Sequence, residues 1–455
     1  MTDTNPTDSL SIRKHAVEIG LSWLWFFLVL LSYYCLKPVR DGLASDLAGG
    51  LGNLYLATFI SSIVGLSIYS RVVAVANRIW LVAIVYNFFI LCLVGFAATF
   101  AGMNQISNPT IAVFFVWVSV FNLFVVTLFW SVMADLFSAS QAKAWFGIIA
   151  AAGSIGSISG SLIALQLSNW FGTQGLITTA IIGLELSVVV AITLIRRQSR
   201  LSKRFIALDV AGPEATAQPN PLANPIDAGN QHQSESIAEQ GTGGSIFAGF
   251  TRVVTSPYLI GICLFVAIGK FAATFIYNNL QLSLSVDMPN EVERMGLFSQ
   301  INLYGQSGSL ITQAIIAGWI MKRLGVTIAL LIPSVILFCF FGWLSLEGSF
   351  RILVVGQVLS QVMGYGLLVP AQHALFTVVS REDKYKSKAF TDIVVFRGSD
   401  VAAGKICDWL IYFKLALTPL ALAMGVVMIV WSTVAVWTGR KYQRLASAEL
   451  PAGQD

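Results

Sequence analysis

Charge is what this sequence has least of. Only 11% of its 455 residues are Asp, Glu, Lys or Arg, against roughly 25% in soluble globular domains. With 56% hydrophobic residues, a chain this poor in charge cannot cover a soluble fold with water-compatible surface, so a cytosolic enzyme or binding module is excluded. Paired cysteines are missing too. Cys35, Cys92, Cys263, Cys339 and Cys407 fall in apolar runs without a CxxC pair or metal-ligand spacing, so neither a disulfide framework nor a metal site is expected. No GxxxxGK[ST], GxSxG or HExxH pattern occurs, which removes the phosphate loop, the hydrolase elbow and the zinc peptidase. The expectation is a protein that is not an enzyme and needs no cofactor. Nor does the net charge of +5 form a continuous basic stripe of the kind nucleic acid demands.

What fills the chain instead is a series of apolar runs of about 20 residues, the length of a helix that crosses a hydrocarbon core. They place spans near 19–36, 51–70, 79–101, 110–134, 144–167 and 175–195, then near 257–280, 296–321, 326–346, 352–372, 389–412 and 415–437. The expected fold is all-α and integral to the membrane, with twelve transmembrane helices in two pseudo-symmetric six-helix bundles. Residues 1–18 read as a polar cytoplasmic segment with no signal peptide, 19–200 as the first bundle and 246–438 as the second. Between them, 201–245 is rich in Pro, Ala, Asn, Gln and Gly and reads as a flexible cytoplasmic linker; 439–455 reads as a cytoplasmic tail. Lys and Arg collect on alternate loops, with Arg13, Lys14, Arg71, Arg78, Lys143, the cluster from Arg196 to Arg204, Lys322, Arg323 and Arg440 on one side. By the positive-inside rule that side is the cytoplasm and holds both termini, here at a bacterial inner membrane.

An internal repeat supports the two halves. Lys143-Ala144-Trp145 precedes Gly153-Ser154 at the fifth span, and Lys388-Ala389-Phe390 precedes Gly398-Ser399 at the eleventh with identical spacing. Parallel repeats of six helices are one known plan for transporters.

The informative exceptions are charges inside the spans. One at the bilayer centre costs roughly 2.5–3.5 kcal/mol on insertion scales, so it normally faces a cavity or a partner. Tyr33, Lys37, Arg40 and Asp41 share a helical face at the end of the first span, where Pro38 should kink the helix. Two cations beside a tyrosine hydroxyl suit a phosphate or carboxylate; the alternative is an interface cluster in which Asp41 neutralises Arg40. The eleventh span carries Arg397, Asp400, Lys405 and Asp408, and the seventh carries Lys270 with Tyr277 and Asn278. A salt-bridge network without transport is the alternative there. Asn87, Asn122, Glu185, Asn302, Gln306 and Gln361 are weaker cavity candidates whose alternative is an interhelical hydrogen bond, and His373, beside a cytoplasmic loop, reads as having no special role. Gly153, Gly156 and Gly160 read as a close-packing face.

Two resemblances add to this. The six-plus-six plan and Gly318-Trp319-Ile320-Met321-Lys322-Arg323-Leu324-Gly325 resemble the major facilitator superfamily and its loop motif. More narrowly, Leu36-Lys37-Pro38-Val39-Arg40-Asp41, then Leu128-Phe129-Trp130 with Ala134-Asp135 and Gln141-Ala142-Lys143, then Lys388-Ala389 with Asp392 and Val394-Val395, resemble the ATP/ADP antiporters of plastids and intracellular bacteria and their bacterial relatives. The resemblance implies an alternating-access carrier for a nucleotide-like anion, ATP and ADP among the candidates, in which Arg40 and Arg397 handle the nucleotide. The expected substrate-binding set is Tyr33, Lys37, Arg40, Asp41, Lys270, Asn278, Arg397 and Asp400. Asp135, Lys143, Lys388, Asp392, Lys405 and Asp408 are expected to gate or couple. The expected partners are a small anionic solute and the bilayer, with a monomer as the working unit. Two further readings stay open: a proton-coupled carrier of another small solute with Asp400 and Asp408 as proton carriers, and a membrane scaffold that transports nothing.

Overall fold

The computed structural model describes residues 6–75, 78–103, 105–137, 139–210, 252–379, 387–388 and 390–449. The described helices are α1 (Pro6–Ala44), α2 (Leu51–Val75), α3 (Arg78–Ala101), α4 (Asn108–Leu136), α5 and α6 (139–171 and 173–210), α7 (Pro257–Asp287), α8 (291–323), α9 (Val326–Glu347), α10 (350–378), α11 (391–412) and α12 (Leu417–Glu449). Among the described residues eight stretches are long and apolar enough to cross a membrane, and two of these, at 53 and 55 residues, have room for two crossings. The first contains the tight turn Ser45–Gly50 between α1 and α2. The second breaks at Gly172, whose φ of 54° suits a residue without a side chain. α8 and α11 are too polar to qualify among the eight, which fits helices with work to do inside the protein.

The helix starts follow local chemistry. Ser256 and Asn290 cap α7 and α8 by accepting the backbone N–H of Leu259 and Val292, and Ser349 does the same for Arg351 in α10. Pro257 and Pro109 occupy first-turn positions where a missing N–H costs nothing.

Four boundary expectations need correction. The first span is expected to end near Leu36, yet α1 continues as helix through Pro38 to Ala44. One proline removes one backbone bond and does not end a helix that neighbours hold in place. Residues 201–210, expected in the linker, prolong α6, while 211–245 lie outside the described residues. The helix α12 likewise runs on to Glu449 through the expected tail, and α1 begins at Pro6 inside the expected polar segment.

Among the described residues two large apolar clusters, and a small third one of Ala44, Leu51, Leu54 and Phe115, form the interior. One is drawn from Trp25 to Ile195 with Met295 as its single outsider, the other from Val253 to Ala435. Small residues let helices approach where lipid offers no hydrophobic drive to association. A Cβ built on Gly156 would lie 2.4 Å from the carbonyl oxygen of Phe27, and one on Gly160 equally close to that of Leu31, so α5 lies directly on α1. Outward-facing Leu91, Ile315 and Val426 give the molecule an apolar exterior. The chain is a multi-pass membrane protein.

Candidate functional site

Between the two large clusters lies a cavity of about 340 Å³, lined by residues of α1, α2, α4, α7 and α9 to α12. That is near the lower end of the range, roughly 300–1,000 Å³, in which drug-sized ligands bind. Because α1 stays helical past Leu36, Tyr33, Lys37, Arg40 and Asp41 all reach this cavity, and Lys270, Arg397 and Asp400 join them from α7 and α11.

The charges are organised in pairs. Arg40 donates from Nη2 and Nε to Asp41 Oδ1 at 2.6 and 2.8 Å, and from Nη1 to Ser119 Oγ at 3.3 Å. Asp41 also accepts from Tyr277 Oη at 2.9 Å. On the other side, Lys270 Nζ lies 3.2 Å from Asp400 Oδ1, which accepts the Thr274 hydroxyl at 2.5 Å. Lys37 Nζ donates to Asn302 Oδ1 at 2.5 Å, a neutral partner. Each of the three cations also lies over a ring: Lys37 over Tyr34, Arg40 over Phe115 and Lys270 over Phe396, which offsets part of its lost hydration. For Arg397 no hydrogen bond or ion pair is described, although Arg397 and Arg40 both act electrostatically on the hydroxyls of Tyr33 and Tyr365.

One expected binding residue is elsewhere. Asn278 is buried at 1% exposure, and its Oδ1 accepts from Tyr55 Oη at 2.9 Å. It lines a separate cavity of about 180 Å³ beside Cys407 and Lys414. One residue after Tyr277 on a helix, it points about 100° away from the cavity-facing direction, and adjacency in sequence concealed this.

Asn278 belongs to a band of bonds that joins the halves at one end, where α1 turns into α2 and α7 into α8. There Ser45 donates to Gln281 Oε1 at 2.5 Å, Gln281 donates to the Asp41 carbonyl at 2.9 Å, and Arg294, 3% exposed, pairs with Asp46 at 2.7 Å. Thr173, next to the break between α5 and α6, donates to Glu291 at 3.0 Å. Two of the expected gating residues act here: Lys405 bonds Asn53, and Asp408 accepts the backbone N–H of Gly52 at 3.0 Å. Gly52 and Gly404 make this possible, since a Cβ on Gly404 would lie 2.7 Å from Gly52 Cα.

The remaining gating candidates sit at the opposite end. Asp135 and Asp392 are exposed there, and Lys388 Nζ is 2.9 Å from His373 Nδ1. The side chain of Lys143 lies outside the described residues. Near this end Glu18 bonds Arg197 at 2.8 Å and Tyr258 bonds the Leu375 carbonyl at 2.8 Å, each pair lying within one half.

Sequence reasoning missed several wall residues, among them Ser119, Thr274, Gln357 and Tyr365. Thr274 had a readable signal, four residues after Lys270 and so on its face. Tyr365 had one as well: it is a lone aromatic between Gly364 and Gly366 at a π turn, a local irregularity common at functional sites.

A cavity lined with ionic side chains and walled by two packed groups of membrane helices, which bond each other across one end, is the arrangement of a membrane transporter rather than an enzyme. The chain belongs to the Major Facilitator Superfamily, whose family model matches residues 22–390. A comparison with curated protein sequences finds no match. Solved structures of similar fold include a bacterial homologue of the iron transporter ferroportin in an inward-facing state, 12% identical with a TM-score of 0.61, covering 93% of this chain and 98% of that one. The nucleoside transporter NupG is 13% identical with a TM-score of 0.56, covering 94% and 99%. A bacterial homologue of the human lysosomal transporter Spinster, inward-facing and unoccupied, is 13% identical with a TM-score of 0.55, covering 97% and 98%.

Proposed function

We propose that this transporter carries an anionic, nucleotide-like solute by alternating access, with the two six-helix bundles rocking about the central cavity. One observation carries the reading: Lys37, Arg40, Lys270 and Arg397, from three helices of both halves, line one cavity together with, among the described residues, only two carboxylates, Asp41 and Asp400. Cations held in an apolar interior without full compensation attract an anion strongly. Arg40 and Arg397 offer planar forks suited to phosphate, while Asp41 and Asp400 pair with Arg40 and Lys270. Tyr55, Phe115, Tyr365 and Trp431 supply aromatic wall for an attached base. The bonded end has few Lys and Arg residues in its loops, so by the positive-inside rule it is the outer end and the cavity communicates with the cytoplasm, where both termini lie.

The test is uptake of labelled nucleotides and small anions into proteoliposomes, with and without internal substrate. Arg40→Ala and Arg397→Ala are expected to insert normally and to lose uptake by about tenfold or more, the equivalent of ~1.4 kcal/mol of lost interaction. Normal uptake by both variants would sink the assignment. Asp400 also supports a second reading as a proton carrier, since it is buried in the wall and held by Lys270 and Thr274. Collapse of uptake with an uncoupler, together with no stimulation by internal nucleotide, distinguishes that mechanism.

A further inference from the structure

The charges in the cavity wall do not cancel, and the remainder carries chemical information. Among the described residues four cations stand against two carboxylates, a net of +2. The pairing is also unequal. Arg40 and Lys270 each hold a carboxylate within ion-pair distance, at 2.6 and 3.2 Å. Lys37 has only the neutral amide oxygen of Asn302, and Arg397 has no hydrogen-bonding or ionic partner among the described residues. These two cations are anchored in different halves, on α1 and α11.

Full dehydration of uncompensated charge is costly, and the cost falls when charges of opposite sign are enclosed with it. The cavity must lose much of its water when the halves close around a solute. The state that closes most readily is therefore the one in which wall and solute sum to zero.

We infer that the solute is a dianion presenting a single phosphoryl group, whose two charges answer those left uncompensated on Lys37 and Arg397 in the two halves. A phosphate monoester fits, because its second pKa of about 6 leaves it doubly charged at neutral pH. The hydroxyls of Tyr33 and Tyr365, both under the field of Arg397, supply neutral donors to the remaining oxygens without altering the sum. This inference rests on the anion-carrier reading and sharpens it: nucleoside monophosphates are favoured over the di- and triphosphates, which bring more negative charge than the wall balances.

The test is competition for uptake in proteoliposomes at neutral pH, in the presence of a chelator so that magnesium does not mask phosphate charge. Competitors are a nucleoside with its 5′-mono-, di- and triphosphates, a singly charged methyl ester of the monophosphate, and a dicarboxylate of similar size. The monophosphate is expected to compete best, by about tenfold over each of the others. Its advantage over the methyl ester should fade as pH falls below about 6, where the monoester loses its second charge. Altering the wall should move the optimum. Asp400→Asn raises the net charge of the wall by one and should shift preference towards the diphosphate, and Arg397→Gln lowers it by one and should shift preference towards the methyl ester. Preference for the di- or triphosphate, or for the dicarboxylate, in the unaltered protein overturns the dianion assignment while leaving an anion carrier standing. If no anion competes at all, the anion-carrier reading falls with it.

Discussion

The fifth and eleventh helices begin from the same short string and are put to different use. In α5, a Cβ on Gly153 would lie 2.3 Å from the ring of Phe26, and Gly156 and Gly160 press on the backbone of α1. In α11, Gly398 has nothing within 4 Å of its Cβ position, and the residues either side of Gly398-Ser399, Arg397 and Asp400, line the cavity. A duplicated sequence thus became a packing surface in one half and a charged wall in the other. The repeat marks equivalent positions, and it does not mark equivalent roles.

This contrast can be broken by substitution. The largest effect is expected from Gly156→Leu, which drives a side chain into the Phe27 carbonyl of α1. Overpacking of this kind costs about 1–3 kcal/mol or more, and the yield of folded protein on size-exclusion chromatography should collapse. Gly398→Ala enters open space and gains helix propensity, so its thermal stability should match or exceed that of the parent. Equal damage from both would mean that the two helices are packed alike.

A smaller effect, on conformation and not on folding, is expected where α11 meets α2. Gly52→Val places atoms against Asp408 and the Gly404 backbone, so it should wedge the bonded end apart. A cysteine at Asn53, beside Lys405, should then label with a membrane-impermeant maleimide severalfold faster than in the parent. Asp408→Asn should act in the same direction but more weakly, since it keeps the shape and reduces the strength of the bond to the Gly52 N–H.

The smallest effect is a pH response of the same end. Glu291 lies ahead of the apolar part of α8, and its carboxyl is raised above the ordinary value. Burial is the main cause; the Thr173 hydroxyl opposes it, Asp46 adds to it and Arg294 opposes it. A carboxyl raised in the joined state favours that state when protonated. Its contribution is complete below the ordinary carboxylate pKa of about 4.3 and is lost as pH rises through the raised value. Labelling of the same cysteine should therefore speed up as pH rises through that interval, and Glu291→Gln should flatten the response.

Much of the fold was legible because the bilayer imposes a simple rule: every span must be apolar, long and internally hydrogen-bonded. α8 and α11 show the limit of that rule. Their polar residues weaken the apolar signal, and the same residues carry the site. Lys37, Arg40, Lys270 and Arg397 could be read as cavity residues since lipid would not tolerate them. Polar but uncharged wall residues such as Ser119 and Gln357 could not, because an isolated hydroxyl or amide can equally satisfy its own helix, as Ser119 does by donating to the Phe115 carbonyl at 2.8 Å. Nor could the sequence anticipate which of two adjacent residues, Tyr277 or Asn278, faces inward. An error of about 100° in helical phase, one residue, reverses the answer.

The π turns have a mechanical consequence. Those at Thr312–Ala317, Gly364–Leu368 and Thr391–Val395 interrupt α8, α10 and α11, all in the second half. Each widens its helix by a residue and loosens the ladder at that point, making a compliant joint in an otherwise stiff rod. The first half has no such joint among its described residues. It is expected to move as a solid block, while the second flexes against it, so that strain from solute capture is absorbed chiefly by α8, α10 and α11.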